Sequence, residues 1–173
     1  MNKTTLYIAA SIDGYIATKD DGLDWLSIVE VGEEDYGYNN FYKDIDAVVM
    51  GRKTYDFVVE QFDDWPYKDK QCYVFTSQKT TTNIDGVNLL NEDAKTAFDK
   101  IISDGNKNIW LVGGGILNTE FLNNNLIDEI ILSIIPIVLG EGIPLFPNAA
   151  QQELNLIDSK TYPSGLVQLT YTI

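Results

Sequence analysis

Short apolar runs alternate along this chain with segments of helical periodicity, and this alternation constrains the fold more than any other feature. Runs of strand length occupy residues 6–10, 47–50, 72–76, 109–112, 130–135 and 166–173. Helical spacing marks residues 35–42, 54–61, 94–102 and 116–123, with a helical turn expected at 23–26. Continuous apolar strands separated by helices predict an α/β fold with a mostly parallel central sheet, buried on both faces.

The C-terminal part of the chain has a different pattern. It is rich in strand-like segments after Asp128, which predicts antiparallel strands added at one edge of the sheet. No segment has the composition of a linker, so we expect one domain over residues 1–173. No signal-peptide cleavage region and no apolar stretch of roughly 20 residues are found. These features predict a cytoplasmic protein without a membrane span.

Composition excludes several classes of function. The chain has no histidine and one cysteine, Cys72, which rules out Ser-His-Asp and Cys-His catalysis and leaves no basis for a histidine- or cysteine-ligated metal site. We therefore predict no metal. With 26 acidic against 12 basic residues, the net charge of −14 argues against partners that are nucleic acids or anionic membranes.

A glycine and three potential phosphate ligands follow the second apolar strand. Gly51 permits close approach of a ligand to the backbone, and a helix is predicted to begin directly after it. Arg52, the only arginine, has the fork geometry that suits phosphate, while Lys53 and Thr54 add an ammonium and a hydroxyl. The alternative interpretation is a solvated helix start with two incidental charges.

Two further strands end in segments of similar character. Three glycines at 113–115 follow one strand and would let a pyrophosphate approach the backbone. Thr76, Ser77 and Lys79 follow another strand and could bind a ribose 2′-phosphate or simply cap a turn. Because ligands of open α/β sheets sit at the carboxyl ends of the strands, we expect all three segments on one rim.

Taken together, these motifs resemble the dihydrofolate-reductase-like family. The matching segments are 11–17, 49–55, 112–115, 126–130 and 136–142 with 145–146, and they recur in order over most of the chain. The resemblance is nearest to the reductase domain of bacterial riboflavin-biosynthesis deaminase-reductases and its small stand-alone relatives. It implies a dihydrofolate-reductase-like three-layer fold and NADPH as the hydride donor.

The resemblance also implies a set of cofactor-binding residues. Ala9 and Ile16 would flank the nicotinamide. The phosphates would be held by Gly51, Arg52, Lys53 and Thr54. The adenosine and 2′-phosphate side would be lined by Phe75, Thr76 and Ser77. The pyrophosphate would lie along Val112, Gly113, Gly114, Gly115, Ile116 and Leu117.

Without histidine, the proton that follows hydride transfer must come from a carboxyl group, tyrosine, lysine or water. The family uses a carboxylate on its first helix, and Asp35, 16 residues before Gly51, matches that position. Ser133 matches a hydroxyl that supports this carboxylate. Burial beside the nicotinamide is expected to raise the pKa of Asp35. The alternative for Asp35 is that residues 33–35 are an exposed acidic helix start. Asp13 is the competing candidate for the catalytic carboxylate, and its alternative role is to shape a turn.

The substrate expected from the resemblance is a small heterocyclic or carbonyl compound, of the 5-amino-6-(5-phosphoribosylamino)uracil or pterin type. Trp25, Tyr38 and Lys70 are candidate pocket residues, with Lys70 standing where folate reductases carry an arginine. Two alternatives are a non-catalytic nucleotide-binding relative and an unrelated Rossmann-type dehydrogenase; the absence of an early GxGxxG motif argues against the latter. The family and the edge strands predict a homodimer.

Overall fold

The computed structural model describes residues 2–78 and 81–173 and is built around an eight-stranded sheet. The strands are β1 (Lys3–Ser11), β2 (Tyr15–Ala17), β3 (Ala47–Gly51), β4 (Gln71–Phe75), β5 (Val87–Leu90), β6 (Asn108–Gly113), β7 (Glu129–Ile135), β8 (Ile143–Pro144), β9 (Asn155–Thr161) and β10 (Val167–Thr172). The helices are a 3-10 helix (Asp24–Val29), α1 (Tyr38–Lys43), α2 (Arg52–Gln61), α3 (Ala94–Ser103) and α4 (Gly115–Asn123). In the part of the chain that the structure describes, no helix is long and apolar enough to cross a bilayer.

The strand order of the large sheet is β5-β4-β3-β6-β1-β7-β10-β9, and β2 pairs with β8 in a small separate ribbon. Neighbouring strands from β5 through β7 are parallel, while β10 and β9 are antiparallel to their neighbours. The predicted mostly parallel sheet with antiparallel edge strands is therefore confirmed. One detail was wrong, because β7, the first strand of the C-terminal part, pairs with β1 in parallel.

The sheet is covered on both faces, which is why its central strands are continuously apolar. In β3, Ala47, Val48, Val49 and Met50 have no exposed surface. One face packs against α3 and α4 through residues such as Phe121, and the opposite face packs against an aromatic layer from α1, α2 and the following loop. These layers bury the area that provides most of the favourable free energy of folding.

Asp13 joins two loops beside the carboxyl end of β1. Its carboxylate accepts hydrogen bonds from the Ser11 hydroxyl (2.6 Å) and from the backbone N–H groups of Leu139 (3.1 Å) and Gly140 (2.7 Å). The hydrogen bond from Ser11, together with these N–H groups, holds the pKa of Asp13 below its usual value. The interpretation of Asp13 as a turn-forming residue is consistent with this geometry.

Two strands of the large sheet were not predicted. The first, β5, is short and only partly buried, and it extends the sheet beyond β4. The second, β9, is exposed along its whole length, and its side chains do not alternate between apolar and polar. Neither strand has the apolar run or the period of two that indicates a strand in sequence.

The buried centre of the sheet should be the part of the fold most sensitive to truncation. Ile109 in β6 has no exposed surface and pairs with Thr4 and Ala47 on the two sides. We expect Ile109→Ala to lower the free energy of unfolding by about 2–5 kcal/mol, because it removes packed methyl groups and leaves a cavity. Urea denaturation measures this change. As a matched control, Ile12→Ala, at a side chain that is 63% exposed, should change it by no more than about 0.5 kcal/mol; equal losses would contradict the assignment of the core.

Candidate functional site

A cleft of about 750 Å³ opens at the carboxyl ends of β3, β4 and β6. Parallel pairing places Gly51 beside Phe75 on one side, and Met50 beside Gly113 on the other. The three segments that the sequence analysis singled out are therefore brought together on one rim of the sheet, as expected from the rule for open α/β sheets.

Most of the residues predicted to bind the cofactor line this cleft. They are Ala9, Ile16, Gly51, Arg52, Lys53, Thr54, Phe75, Thr76, Ser77, Val112, Gly114, Gly115, Ile116 and Leu117. Gly113 is buried next to the cleft and is not part of its lining. Lys79 lies outside the described residues.

The N-termini of two helices open into the cleft. Gly51 and Gly114 are the N-cap residues of α2 and α4, and neither helix has a side-chain capping hydrogen bond. The first backbone N–H groups of each helix lack an intrahelical partner and carry the positive end of the helix dipole. This arrangement suits an anionic group of a ligand, such as a phosphate.

The glycines after β6 have two different roles. A Cβ atom added to Gly115 would lie 2.2 Å from the Pro144 carbonyl oxygen, so close packing requires glycine there. A Cβ atom on Gly114 would lie 3.6 Å from Thr54 Oγ1 and 4.0 Å from Ile16 Cδ1, which are ordinary contact distances. Gly114 therefore leaves open a space between two predicted cofactor residues, into which a side chain would otherwise project.

The guanidinium of Arg52 is held by its own helix. Its Nε donates a hydrogen bond of 2.7 Å to Asp56 Oδ1, one helical turn further on, and its Cζ lies 5.6 Å from the centre of the Tyr55 ring. This ion pair uses the Nε–H donor and leaves the two terminal nitrogens for a ligand. The positive charge of the cleft is therefore partly compensated even before a ligand binds.

Several lining residues were missed by the sequence analysis. Apolar members are Ile8, Ala17, Leu23, Leu26, Phe57, Leu90 and Ile143, and polar members are Asp21, Asp56, Gln78, Asn91, Glu92 and Glu120. The pair Asn91-Glu92 could have been found if β5 had been recognised, because it follows the carboxyl end of that strand. The others belong to several strands, helices and loops whose position around the cleft depends on tertiary packing.

A second cavity, of about 680 Å³, adjoins the cleft between the 3-10 helix and α2. We call it the side groove. It shares five lining residues with the cleft, which are Asp21, Leu23, Lys53, Asp56 and Phe57. Its ionisable groups are six carboxylates and one ammonium, contributed by Asp20, Asp21, Asp24, Glu30, Asp56, Glu60 and Lys53. The route from this side into the cleft is therefore strongly acidic.

Asp35 lines neither cavity and instead caps the start of α1. Its carboxylate oxygens accept hydrogen bonds from the backbone N–H groups of Gly37 (2.9 Å) and Asn39 (3.1 Å). These bonds stabilise the charged form and hold the pKa of Asp35 below its usual value. The expectation of a raised pKa was therefore wrong, and the acidic helix start that was considered as the alternative describes this residue better.

Ser133 contacts a buried amide. Its Oγ accepts a hydrogen bond of 3.2 Å from Gln168 Nε2, which also lies within bonding distance of the Tyr7 hydroxyl and the Tyr36 carbonyl oxygen. Ser133 and Gln168 pair across β7 and β10, and Ala9 pairs with Ser133 on the other side. The predicted support of the Asp35 carboxylate by Ser133 is replaced by this amide-centred network.

The three predicted substrate residues also lie outside both cavities. Trp25 belongs to the 3-10 helix, is buried in a small apolar cluster, and donates a hydrogen bond from Nε1 to the Gly22 carbonyl oxygen. Tyr38 packs edge-on against Trp110 in the aromatic layer. Lys70 Nζ lies 4.7 Å from the centre of the Tyr42 ring. Their bulk and charge are used in packing within the protein.

Comparison with known proteins agrees with this fold. A family model described as the RibD C-terminal domain matches residues 2–168. The uncharacterized protein YwjB of Bacillus subtilis (strain 168) is 42% identical over 98% of this chain and 97% of its own length. A provisionally named riboflavin biosynthesis protein from Shewanella sp. PV-4, with a crystal structure, is 33% identical, has a TM-score of 0.90 and matches over 98% of both chains.

A more distant structure shows how widely the fold is shared. The diaminohydroxyphosphoribosylaminopyrimidine deaminase/5-amino-6-(5-phosphoribosylamino)uracil reductase of Thermotoga maritima has a TM-score of 0.76 at 12% identity, over 99% of this chain and 56% of that one. The resemblance predicted from the motifs and the predicted fold class are both confirmed. The chain belongs to the RibD C-terminal domain family.

Proposed function

We propose that this chain is an NADPH-dependent oxidoreductase that transfers hydride to a small heterocyclic or carbonyl substrate and acts as a cytoplasmic homodimer. The proposal depends on one observation: the segments that follow β3, β4 and β6, whose residues suit phosphate binding, meet at one cleft. The cleft also contains the only arginine of the chain. Family membership and the names of the Shewanella and Thermotoga relatives support a reductase of the riboflavin type.

The residues of the cleft fit the cofactor in a definite way. The open space at Gly114 and the uncapped starts of α2 and α4 would accept the pyrophosphate, with Thr54 as a hydroxyl donor. Arg52 and Lys53 would hold a further phosphate. NADPH, when bound, supplies the hydride. Ala9 and Ile16 would flank the nicotinamide.

Water is the proton source that we propose. Asp35 lines neither cavity, and the hydrogen bonds that lower its pKa favour its ionised form, so we do not assign the proton to it. No tyrosine is among the described residues that line the cleft, and we assign the lysine found there, Lys53, to a phosphate. Both cavities are open to solvent, which can deliver a proton next to the reacting atom.

The charge of the side groove helps to choose among substrates. Six carboxylates against one ammonium would repel the phosphate of a 5-amino-6-(5-phosphoribosylamino)uracil-like compound if it entered there. A pterin-like or dephosphorylated aminopyrimidine compound meets no such repulsion. Within the proposed reductase activity, we therefore favour an unphosphorylated substrate.

The first test of the proposed function is cofactor binding. We expect saturable NADPH binding in a calorimetric titration, and we expect Gly114→Ala to weaken it at least tenfold because the new methyl group enters the open space between Thr54 and Ile16. The same variant should unfold at nearly the same temperature as the wild type, since its Cβ makes ordinary contacts. Absence of NADPH binding to the wild-type protein would refute the proposal.

Arg52 provides a test of cofactor preference. We expect Arg52→Ala to weaken NADPH binding about tenfold to a hundredfold, the range for loss of charge-assisted hydrogen bonds, and NADH binding less. Paired titrations with the two nucleotides measure the difference. Lys100→Ala, which removes a charge on α3 away from the cleft, is the matched control and should leave both affinities unchanged. Equal losses of affinity for NADPH and NADH would contradict a contact between Arg52 and the 2′-phosphate.

Substrate charge is tested with a matched pair of compounds. With saturating NADPH, 5-amino-6-ribosylaminouracil should be reduced with a kcat/KM about tenfold above that of its 5′-phosphate, and added salt should narrow the gap. The double variant Glu30→Gln, Glu60→Gln should narrow it as well, whereas Glu153→Gln, outside both cavities, should not. A higher kcat/KM for the 5′-phosphate would contradict the proposed preference for an unphosphorylated substrate. Tight NADPH binding with no turnover of either compound or of a dihydropterin would instead support the non-catalytic nucleotide-binding alternative.

A further inference from the structure

The edge strand β5 brings a carboxylate into the cleft. Beyond the paired ends of β4 and β5, the backbone N–H of Thr76 donates a hydrogen bond of 2.8 Å to the Leu90 carbonyl oxygen. The segments 76–78 and 91–92 therefore leave the sheet side by side, and all five of their residues line the cleft. Of these five residues, Glu92 alone is charged.

The order of the strands indicates which part of a dinucleotide reaches β5. The uncapped starts of α2 and α4, which suit a pyrophosphate, follow β3 and β6 at the centre of the rim. Ala9, which is predicted to lie beside the nicotinamide, belongs to β1 on the far side of β6. The other nucleoside must then extend towards β5, two strand spacings or roughly 10 Å from β3. Its ribose would therefore lie beside Glu92.

The carboxylate of Glu92 is held in place and keeps the capacity to bind a ligand. Its Oε2 accepts a hydrogen bond of 3.0 Å from the backbone N–H of Asn91, which turns the side chain back towards the end of β5. No described lysine or arginine forms an ion pair with it. Because an ionised carboxylate has roughly four acceptor sites, it can also accept hydrogen bonds from two neighbouring hydroxyl groups.

The charges of the cleft lining distinguish a ribose hydroxyl from a ribose phosphate. The described cations, Arg52 and Lys53, lie at the start of α2, whereas β5 contributes Glu92 and α4 contributes Glu120. A 2′-phosphate, with about two negative charges, would meet a charge of the same sign beside Glu92. Free ribose hydroxyls would meet an acceptor instead, as they do where an acidic residue selects NAD in dinucleotide-binding folds.

We propose that Glu92 is a specificity-determining residue of the cofactor cleft. Its carboxylate accepts hydrogen bonds from the hydroxyl groups of the adenosine ribose and disfavours a 2′-phosphate, so that NADH competes with NADPH for the cleft. Arg52 attracts the 2′-phosphate and Glu92 repels it. This inference rests on the proposed reductase function and names the cofactor class that its cleft accepts.

The test is calorimetric titration of the full chain with NADPH and with NADH. Glu92→Gln removes the charge and keeps an oxygen that can accept the hydrogen bond from Asn91. We expect its affinity for NADPH to rise about tenfold and its affinity for NADH to change by less than about threefold. Asp99→Asn, which removes an exposed carboxylate on α3 outside the cleft, is the matched control and should change neither affinity.

A second variant separates the attraction of the hydroxyl groups from the repulsion of the phosphate. Glu92→Ala removes the acceptor together with the charge, so NADH should bind about fivefold more weakly while NADPH still binds more tightly than to the wild type. Unchanged unfolding temperatures would show that both variants remain folded. A Glu92→Gln variant with unchanged affinity for NADPH, or a Glu92→Ala variant with unchanged affinity for NADH, overturns the proposal.

Titrations with 5′-AMP and adenosine 2′,5′-bisphosphate distinguish failure of this proposal from failure of the reductase function. Both compounds contain the adenosine ribose and lack the nicotinamide. Glu92→Gln should bind the bisphosphate about tenfold more tightly and 5′-AMP nearly as the wild type does. This result without binding of either dinucleotide would refute the reductase function and support the role of Glu92. Binding of NADPH to the wild type with no effect of Glu92→Gln on the bisphosphate would do the reverse, and absence of binding by all four compounds would overturn both.

Discussion

The parallel pairing of β3 with β4 on one side and with β6 on the other is the constraint on which the candidate site depends. Because the three strands run in the same direction, Gly51 meets Phe75, and a register shift after Val49 brings Met50 beside Gly113. Three separate loops consequently leave the sheet at one level, and two uncapped helix starts face the same cleft. An antiparallel arrangement of the same segments would have sent one loop to the opposite edge.

The distribution of a few cations shapes the site in this very acidic chain. Arg52 is not isolated at the strand end, because Asp56 holds its Nε and lies in the lining of the cleft and of the side groove. This pair orients the guanidinium before a ligand binds, which limits the entropy lost on binding. The same carboxylate adds to the negative potential of the side groove. In the proposed function, this one ion pair would help to bind an anion in the cleft and would help to repel an anion beside it.

The sequence was sufficient to predict structural elements that have a local signal. It was insufficient for features that depend on tertiary contacts. The strand at 47–50 and the glycine that ends it are visible as an apolar run and a turn residue, and the rule for parallel sheets then assembles the cleft. By contrast, β9 has no apolar period because both of its faces are exposed. The pKa of Asp35 depends on the backbone N–H groups of Gly37 and Asn39 at the start of α1, and Lys70 lies over the Tyr42 ring; neither fact follows from residue type or spacing.

The absence of histidine and the pKa shifts of the folded protein together limit which side chains could exchange a proton near pH 7. Among the described residues, every side chain with a shifted pKa has that pKa moved further from pH 7. The pKa values of Asp13, Asp35, Asp46, Asp69 and Asp93 are lowered, and those of the affected tyrosines and Cys72 are raised. Burial, for example, raises the pKa of Tyr7 to about 12, so its phenol remains a hydrogen-bond donor. Hydrogen bonds hold the carboxylates ionised, and desolvation holds the phenols neutral. None of these groups is tuned to exchange a proton near pH 7, which is the tuning that general acid catalysis requires. Within the proposed reductase activity, the rate would therefore come from the position of a bound hydride donor, and we propose water as the source of the proton.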